Sequence, residues 1–263
     1  MTGYRLKASA GLGLLAGIFL LAGCQASEEH SASKGESSSK KGTSHIESKS
    51  VAEGEKKDLK VTADQETGRA WKDKAGHVKV HGAARIKNTG SKPVELDTVQ
   101  LNFLDKNEKV LGTKEVLAVV PKILKPGEVA YVGKTISLKE KRDPKVFDRV
   151  TISTDYNPAL KPPVTLKTDK LSGEKSKDTV RVTGTIHNET GEKVKDIFVT
   201  AALRDGKGNL VAVVNEYLDM GIKAGKSTGF EVEDSSLPKE LTKKVDEKQV
   251  KAQAYPLFIG EEK

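Results

Sequence analysis

One cysteine, Cys24, and one tryptophan, Trp71, occur in 263 residues, with two methionines and an aromatic content of 5%. A lone thiol forms no intrachain disulfide and no thiolate zinc site, so the folded part must rest on its apolar core. Sustained helical periodicity with caps is missing as well; only Leu237 to Val245, with Pro238 near its start, reads as a short helix. The chain has no Gly-rich phosphate loop, no His-Glu-x-x-His and no Gly-x-Ser-x-Gly. Its Asp and Glu residues are scattered, with no spacing that recommends two of them as an acid and a base. These absences set aside nucleotide-binding, zinc-hydrolase and serine-hydrolase chemistry. The expectation is a non-enzyme with no catalytic residue, no metal site and no cofactor.

What is present begins with an N-terminal export signal. Arg5 and Lys7 form a basic opening, Ala8 to Leu20 an apolar core too short to span a bilayer comfortably, and Ala22-Gly23 the small residues before a cleavage point. Leu21-Ala22-Gly23-Cys24 resembles the lipobox of bacterial lipoproteins. That resemblance implies removal of residues 1–23, acylation of the Cys24 thiol, and anchoring in the lipid bilayer at the extracytoplasmic face of the cell membrane. Acylation also accounts for an otherwise leftover thiol in an exported chain.

Residues 24–57 change composition abruptly. Gln25 to Lys57 is built mainly of Ser, Glu, Lys, Gly and Ala, with Ile46 and Val51 as its only sizeable aliphatics. It buries too little apolar surface to offset the entropy of ordering and is expected to be a disordered tether. Its coil dimension would be roughly 30 Å. His30 and His45 fall in it and read as solvent-exposed imidazoles.

The remainder is a repeat. A shift of one hundred residues lays Val80 to Asn88 over Val180 to Asn188 and continues through Val94 and Val194, Val99 and Val199, and Asp105 and Asp205. Leu124-Lys125-Pro126-Gly127 answers Ile222-Lys223-Ala224-Gly225 after a two-residue slip. The period is too long for a solenoid unit and fits a duplicated domain. Within each unit apolar residues alternate, as at Val180, Val182, Gly184 and Ile186, and polar turn clusters separate the runs. The expected fold class is all-β: two tandem immunoglobulin-like antiparallel β-sandwich domains, 58–156 and 164–263. Residues 157–163, containing Pro158, Pro162 and Pro163, form a stiff linker between them.

Gly184-Thr185-Ile186-His187-Asn188, then Phe198 to Leu203, then Arg204-Asp205 and Gly208-Asn209-Leu210-Val211 follow an order similar to FxLYD-type domains. The first copy departs from it, with Ala84 in place of the glycine and a different aromatic placement in Phe103-Leu104-Asp105. The resemblance covers most of each repeat and none of the tether. It implies immunoglobulin-type sandwiches on a bacterial lipoprotein, with neither a catalytic residue nor an agreed ligand.

His77 and His81 share a strand face at roughly 13 Å, too far for one metal, and read as surface histidines. Asp205-Gly206-Lys207-Gly208-Asn209, with Glu216 at the twelfth position, imitates a calcium loop. Lys207 stands where a carboxylate ligand belongs and Leu210 where a glycine must turn, so a hairpin turn is expected. Removing Arg5 and Lys7 with the signal lowers the net charge from +8 to +6. The lysines at 239, 243, 244, 248 and 251 read as a solvated face. A basic exported chain meets anionic wall polymers and acidic headgroups, whereas nucleic acid is not an expected partner. The functional expectation is a lipid-anchored, non-catalytic interaction or structural module for an envelope protein or an anionic wall polymer, with strand addition at a sheet edge as its mode. The alternative is a small-ligand-binding lipoprotein of transport-receptor type, which needs a cleft between lobes. Oligomeric state is not legible.

Overall fold

A computed structural model describes residues 44–48, 58–138, 143–176 and 179–260. The alternating runs become strands. In the first half these are β1 (His45–Ser48), β2 (Val61–Lys72), β3 (Val78–Asn88), β4 (Val94–Leu104), β5 (Val110–Glu115), β6 (Ile123–Leu124), β7 (Val129–Ser137) and β8 (Arg149–Pro158). The second half holds β9 (Lys167–Lys175), β10 (Val180–His187), β11 (Val194–Arg204), β12 (Leu210–Ile222), β13 (Ser227–Asp234) and β14 (Val250–Ile259). The helical stretch expected after Pro238 is a single turn, α1 (Lys239–Thr242).

The chain is an all-β, immunoglobulin-like sandwich. In the first half the sheet β2-β3-β7 faces β1-β8-β4-β5, with β6 pairing β4; in the second, β13-β10-β9 faces β12-β11-β14. The two halves follow one plan. β3 lies between β2 and β7 as β10 lies between β9 and β13, and β4 lies between β8 and β5 as β11 lies between β14 and β12. Asp105 and Asp205 close matching hairpins: each carboxylate accepts the backbone N–H two and four residues on, at 2.8 to 2.9 Å. The Asp205 segment is therefore a hairpin turn between β11 and β12.

Alternation explains the packing. On β3, Val78, Val80, Ala84 and Ile86 point into a cluster with Leu96, Leu101, Phe103 and Ile152. On β11, Ile197, Val199, Ala201 and Leu203 join Val182, Ile186, Val214 and Val232 in a second, separate cluster. Each large side chain buried this way contributes roughly 1.5–3 kcal/mol.

Two expectations need correction. Residues 45–48 do not follow the disordered tether: they add in parallel to β8, His45 opposite Ser153 through Ser48 opposite Tyr156. Ile46 packs against the first core, and the Ser44 hydroxyl accepts from Ile152 N–H at 3.1 Å. One aliphatic in a polar stretch suffices because the β8 edge supplies ready-made backbone partners. The rest of the tether lies outside the described residues. At the linker, Asn157 and Pro158 pair with Glu95 and Val94 as the end of β8.

Candidate ligand-binding surfaces at the seam and the sheet edge

The halves meet where the outward face of β2-β3-β7 covers the outward face of β12-β11-β14. A third apolar cluster sits there: Ala83 and Tyr131 from the first half against Ala202, Leu210 and Val213 from the second. Close approach needs a residue without a side chain at one point, Gly133 on β7, where a Cβ would stand 2.7 Å from both Val213 Cβ and Val213 O.

His81 belongs to this seam and not to the surface, with a relative exposure of 2%. Its Nε2 accepts from Val213 N–H at 3.3 Å, so the ring proton sits on Nδ1, which donates to Thr135 Oγ1 at 3.0 Å. Burial pushes the imidazole pKa down to about 4, partly offset by the Asp234 carboxylate. The surface reading failed because β3 presents His81 outward from its own sandwich, where the other half covers it. His77 is exposed in the β2–β3 turn, its N–H donating to Asp73 Oδ1 at 2.8 Å. The structure thus separates the two histidines.

Further along the seam, Arg204 donates to the Tyr131 hydroxyl and its guanidinium lies 5.4 Å from that ring's centroid. Gln253 donates to Val129 O at 2.7 Å and Asn215 to Gly133 O at 3.3 Å.

Beside His81 the seam opens into a groove of about 1000 Å³, at the upper end of the usual range for ligand sites. Its floor is the outward face of β2-β3-β7. Trp71 lies directly opposite Lys79, and Arg69 directly opposite His81, so the sole tryptophan and two cations share one face. Lys72 ends β2 and Lys74 stands on the turn that follows, and the wall is Ser235 to Glu240, including Lys239. Among the described residues none of Arg69, Lys72, Lys74, Lys79 and Lys239 has an ion-pair partner. Five cations face two lining carboxylates, Asp73 and Glu240, a net +3. Sequence reading missed the groove, although Arg69, Trp71 and Lys79 flank one turn at matching alternate positions.

The second surface is the β8 edge, where residues 45–48 occupy the outermost position of the sheet. The lysines at 239, 243, 244, 248 and 251 are all exposed. Cys24, His30 and the signal segment lie outside the described residues. Among the described residues no helix is long and apolar enough to cross a membrane, and no cluster of three His, Cys, Asp or Glu is placed to hold a metal.

No family model matches the chain, and no curated protein matches it. Among solved structures it is similar to the ApaA protein of Bordetella pertussis at 16% identity and a TM-score of 0.25, over 69% of this chain and 97% of that one. A red sea bream transglutaminase is similar at 9% identity and a TM-score of 0.21, over 68% of this chain and 27% of that one. The N-terminal CBM22-1-CBM22-2 tandem domain of Xyn10C from Paenibacillus barcinonensis gives 10% identity and a TM-score of 0.15, over 76% and 84%. Likenesses this slight carry no conclusion about activity.

Proposed function

We propose that the chain is a bacterial lipoprotein, anchored through acylated Cys24 at the extracytoplasmic face of the cell membrane. In this reading, two tandem FxLYD-type domains act as a non-catalytic interaction module for an envelope protein or an anionic wall polymer. The observation that carries it is the β8 edge. An extended stretch of the chain's own tether is taken up there by four consecutive parallel pairings, which is strand addition realised within one molecule. A partner's extended segment would use the same backbone groups and the same apolar contact that Ile46 makes.

The test is a pull-down with the mature chain carrying Cys24→Ala, against membrane extract and purified wall polymer, at low and high salt, in wild-type and Ile46→Asp forms. Capture that survives salt and is competed by a synthetic peptide spanning residues 43–49 supports a packed strand-addition interface; capture lost in salt supports a screened contact with the polymer. Turnover of a wall substrate, or no capture of either kind, would sink the reading.

A further inference from the structure

We infer that the groove beside His81 binds a phosphodiester-linked anionic polymer, with Arg69 and Lys79 taking successive phosphates and Trp71, level with Lys79 across the ladder, covering the uncharged unit beside that phosphate. This goes beyond the reading above by assigning the ligand class of one site, and it is independent of strand addition at β8.

Charge complementarity is the first support. Five cations with no ion-pair partner among the described residues surround an open groove whose lining carries a net +3. Their arrangement is the second. The cations come from β2, the turn after it, β3 and the start of α1, so four successive stretches of backbone supply them. Arg69 and Lys79 stand in successive cross-strand rows, separated by about 7 Å along the strands. That spacing is comparable with the phosphate repeat of a phosphodiester-linked polyol. A single small anion would leave most of the row unmatched.

The third support is the donor beside them. Because His81 Nδ1–H donates to Thr135 Oγ1, the Thr135 hydroxyl proton is free to point elsewhere, and Thr135 lines the groove. It supplies a neutral donor for a phosphate oxygen next to Lys79. An aromatic face beside cations also matches a chain that alternates charge with apolar CH groups better than it matches an acidic peptide.

Trp71, the only tryptophan, is a built-in reporter. The mature chain carrying Cys24→Ala is titrated with poly(glycerol phosphate), linear polyphosphate, inorganic phosphate and polyglutamate, following Trp71 emission and, separately, binding heat. The expected result is an emission change with poly(glycerol phosphate), binding weakened about tenfold or more by Arg69→Glu and by Lys79→Glu, and no weakening by Lys207→Glu on the distant β11–β12 turn. Lys239→Glu, at the opposite wall and outside both strands, is expected to give the same loss, and unweakened binding in all three variants would overturn the assignment. A Trp71 response to polyphosphate alone, an equal response to polyglutamate, or equal loss in Lys207→Glu would overturn the assignment. So would inorganic phosphate binding as tightly as the polymer, which would mark a small-anion site. The synthetic peptide spanning residues 43–49 competes only at the β8 edge and leaves the polymer titration unchanged, so failure here and failure at the β8 edge are distinguishable.

Discussion

Asn88 and Asn188, one hundred residues apart in the chain, perform the same task. Asn88 Nδ2 donates to Lys92 O at 2.8 Å and Leu124 O at 2.9 Å; Asn188 Nδ2 donates to Glu192 O at 2.7 Å and Ile222 O at 2.8 Å. Their backbone carbonyls accept from Gly127 and Gly225, each at 2.9 Å and each with positive φ. One side chain thus ties the turn after β3, or after β10 in the second half, to the turn before β7, or before β13, the strand that returns beside it. Both asparagines are almost fully buried. Replacing either by alanine removes the side-chain donor from one buried and one part-buried carbonyl, and we expect a loss of about 2–4 kcal/mol in each case. Urea unfolding measures it; a loss below about 1 kcal/mol for either would contradict the role.

The seam carries a pH dependence through His81. The folded state holds its pKa near 4, whereas an unfolded histidine titrates near 6.5. Between these values the unfolded chain binds the extra proton, so stability is lost as pH falls through that window and is complete above it. The total is on the order of 3 kcal/mol. Thermal melting between pH 7 and 4 should show this fall in the wild type and a flatter profile in His81→Gln.

Tyr131 and Arg204 couple the halves through a hydrogen bond and a cation–π contact across the seam. A double-mutant cycle with Tyr131→Leu and Arg204→Met should return an interaction energy of roughly 1–2 kcal/mol. Additive losses would show that the two side chains act independently.

Gly133 allows β7 to approach β12. Gly133→Ala sets a methyl 2.7 Å from Val213 atoms, one of them backbone, so the strands must move apart at a cost of roughly 1–3 kcal/mol. The loss should be relieved in part by Val213→Gly, measured against Val213→Gly alone, because that removes the clashing Cβ while the carbonyl stays. No relief would place the strain elsewhere.

Cys24→Ala should move the protein from the membrane pellet to the soluble extracytoplasmic fraction and abolish incorporation of labelled palmitate. Continued membrane retention would contradict the lipid anchor.

Much of the fold was legible because the features that set it are local. Inward positions such as Val80 and Val180 or Val99 and Val199 recur at one offset, and so do the turn-forming Asp105 and Asp205 and the tie residues Asn88 and Asn188. The seam was not legible, because period-two alternation identifies an outward residue without saying what covers it. His81, Tyr131 and Arg204 look like surface residues by that rule. The signal was compositional: Ala83, Gly133, Ala202 and Val213 are small or apolar at positions where a solvent-facing strand carries charge. The groove joins residues near 71 to residues near 239, a juxtaposition no sequence spacing records. The β1 pairing depends on Ile46 and on an edge strand more than one hundred residues away.

Binding without turnover distinguishes an interaction module from a wall hydrolase. It is tested most directly by incubating the mature chain with purified cell wall, sedimenting the wall, and analysing pellet and supernatant by mass spectrometry over time. Protein is expected in the pellet at low salt, with no released wall fragments above the buffer control. Fragments that accumulate in proportion to protein and time would contradict it.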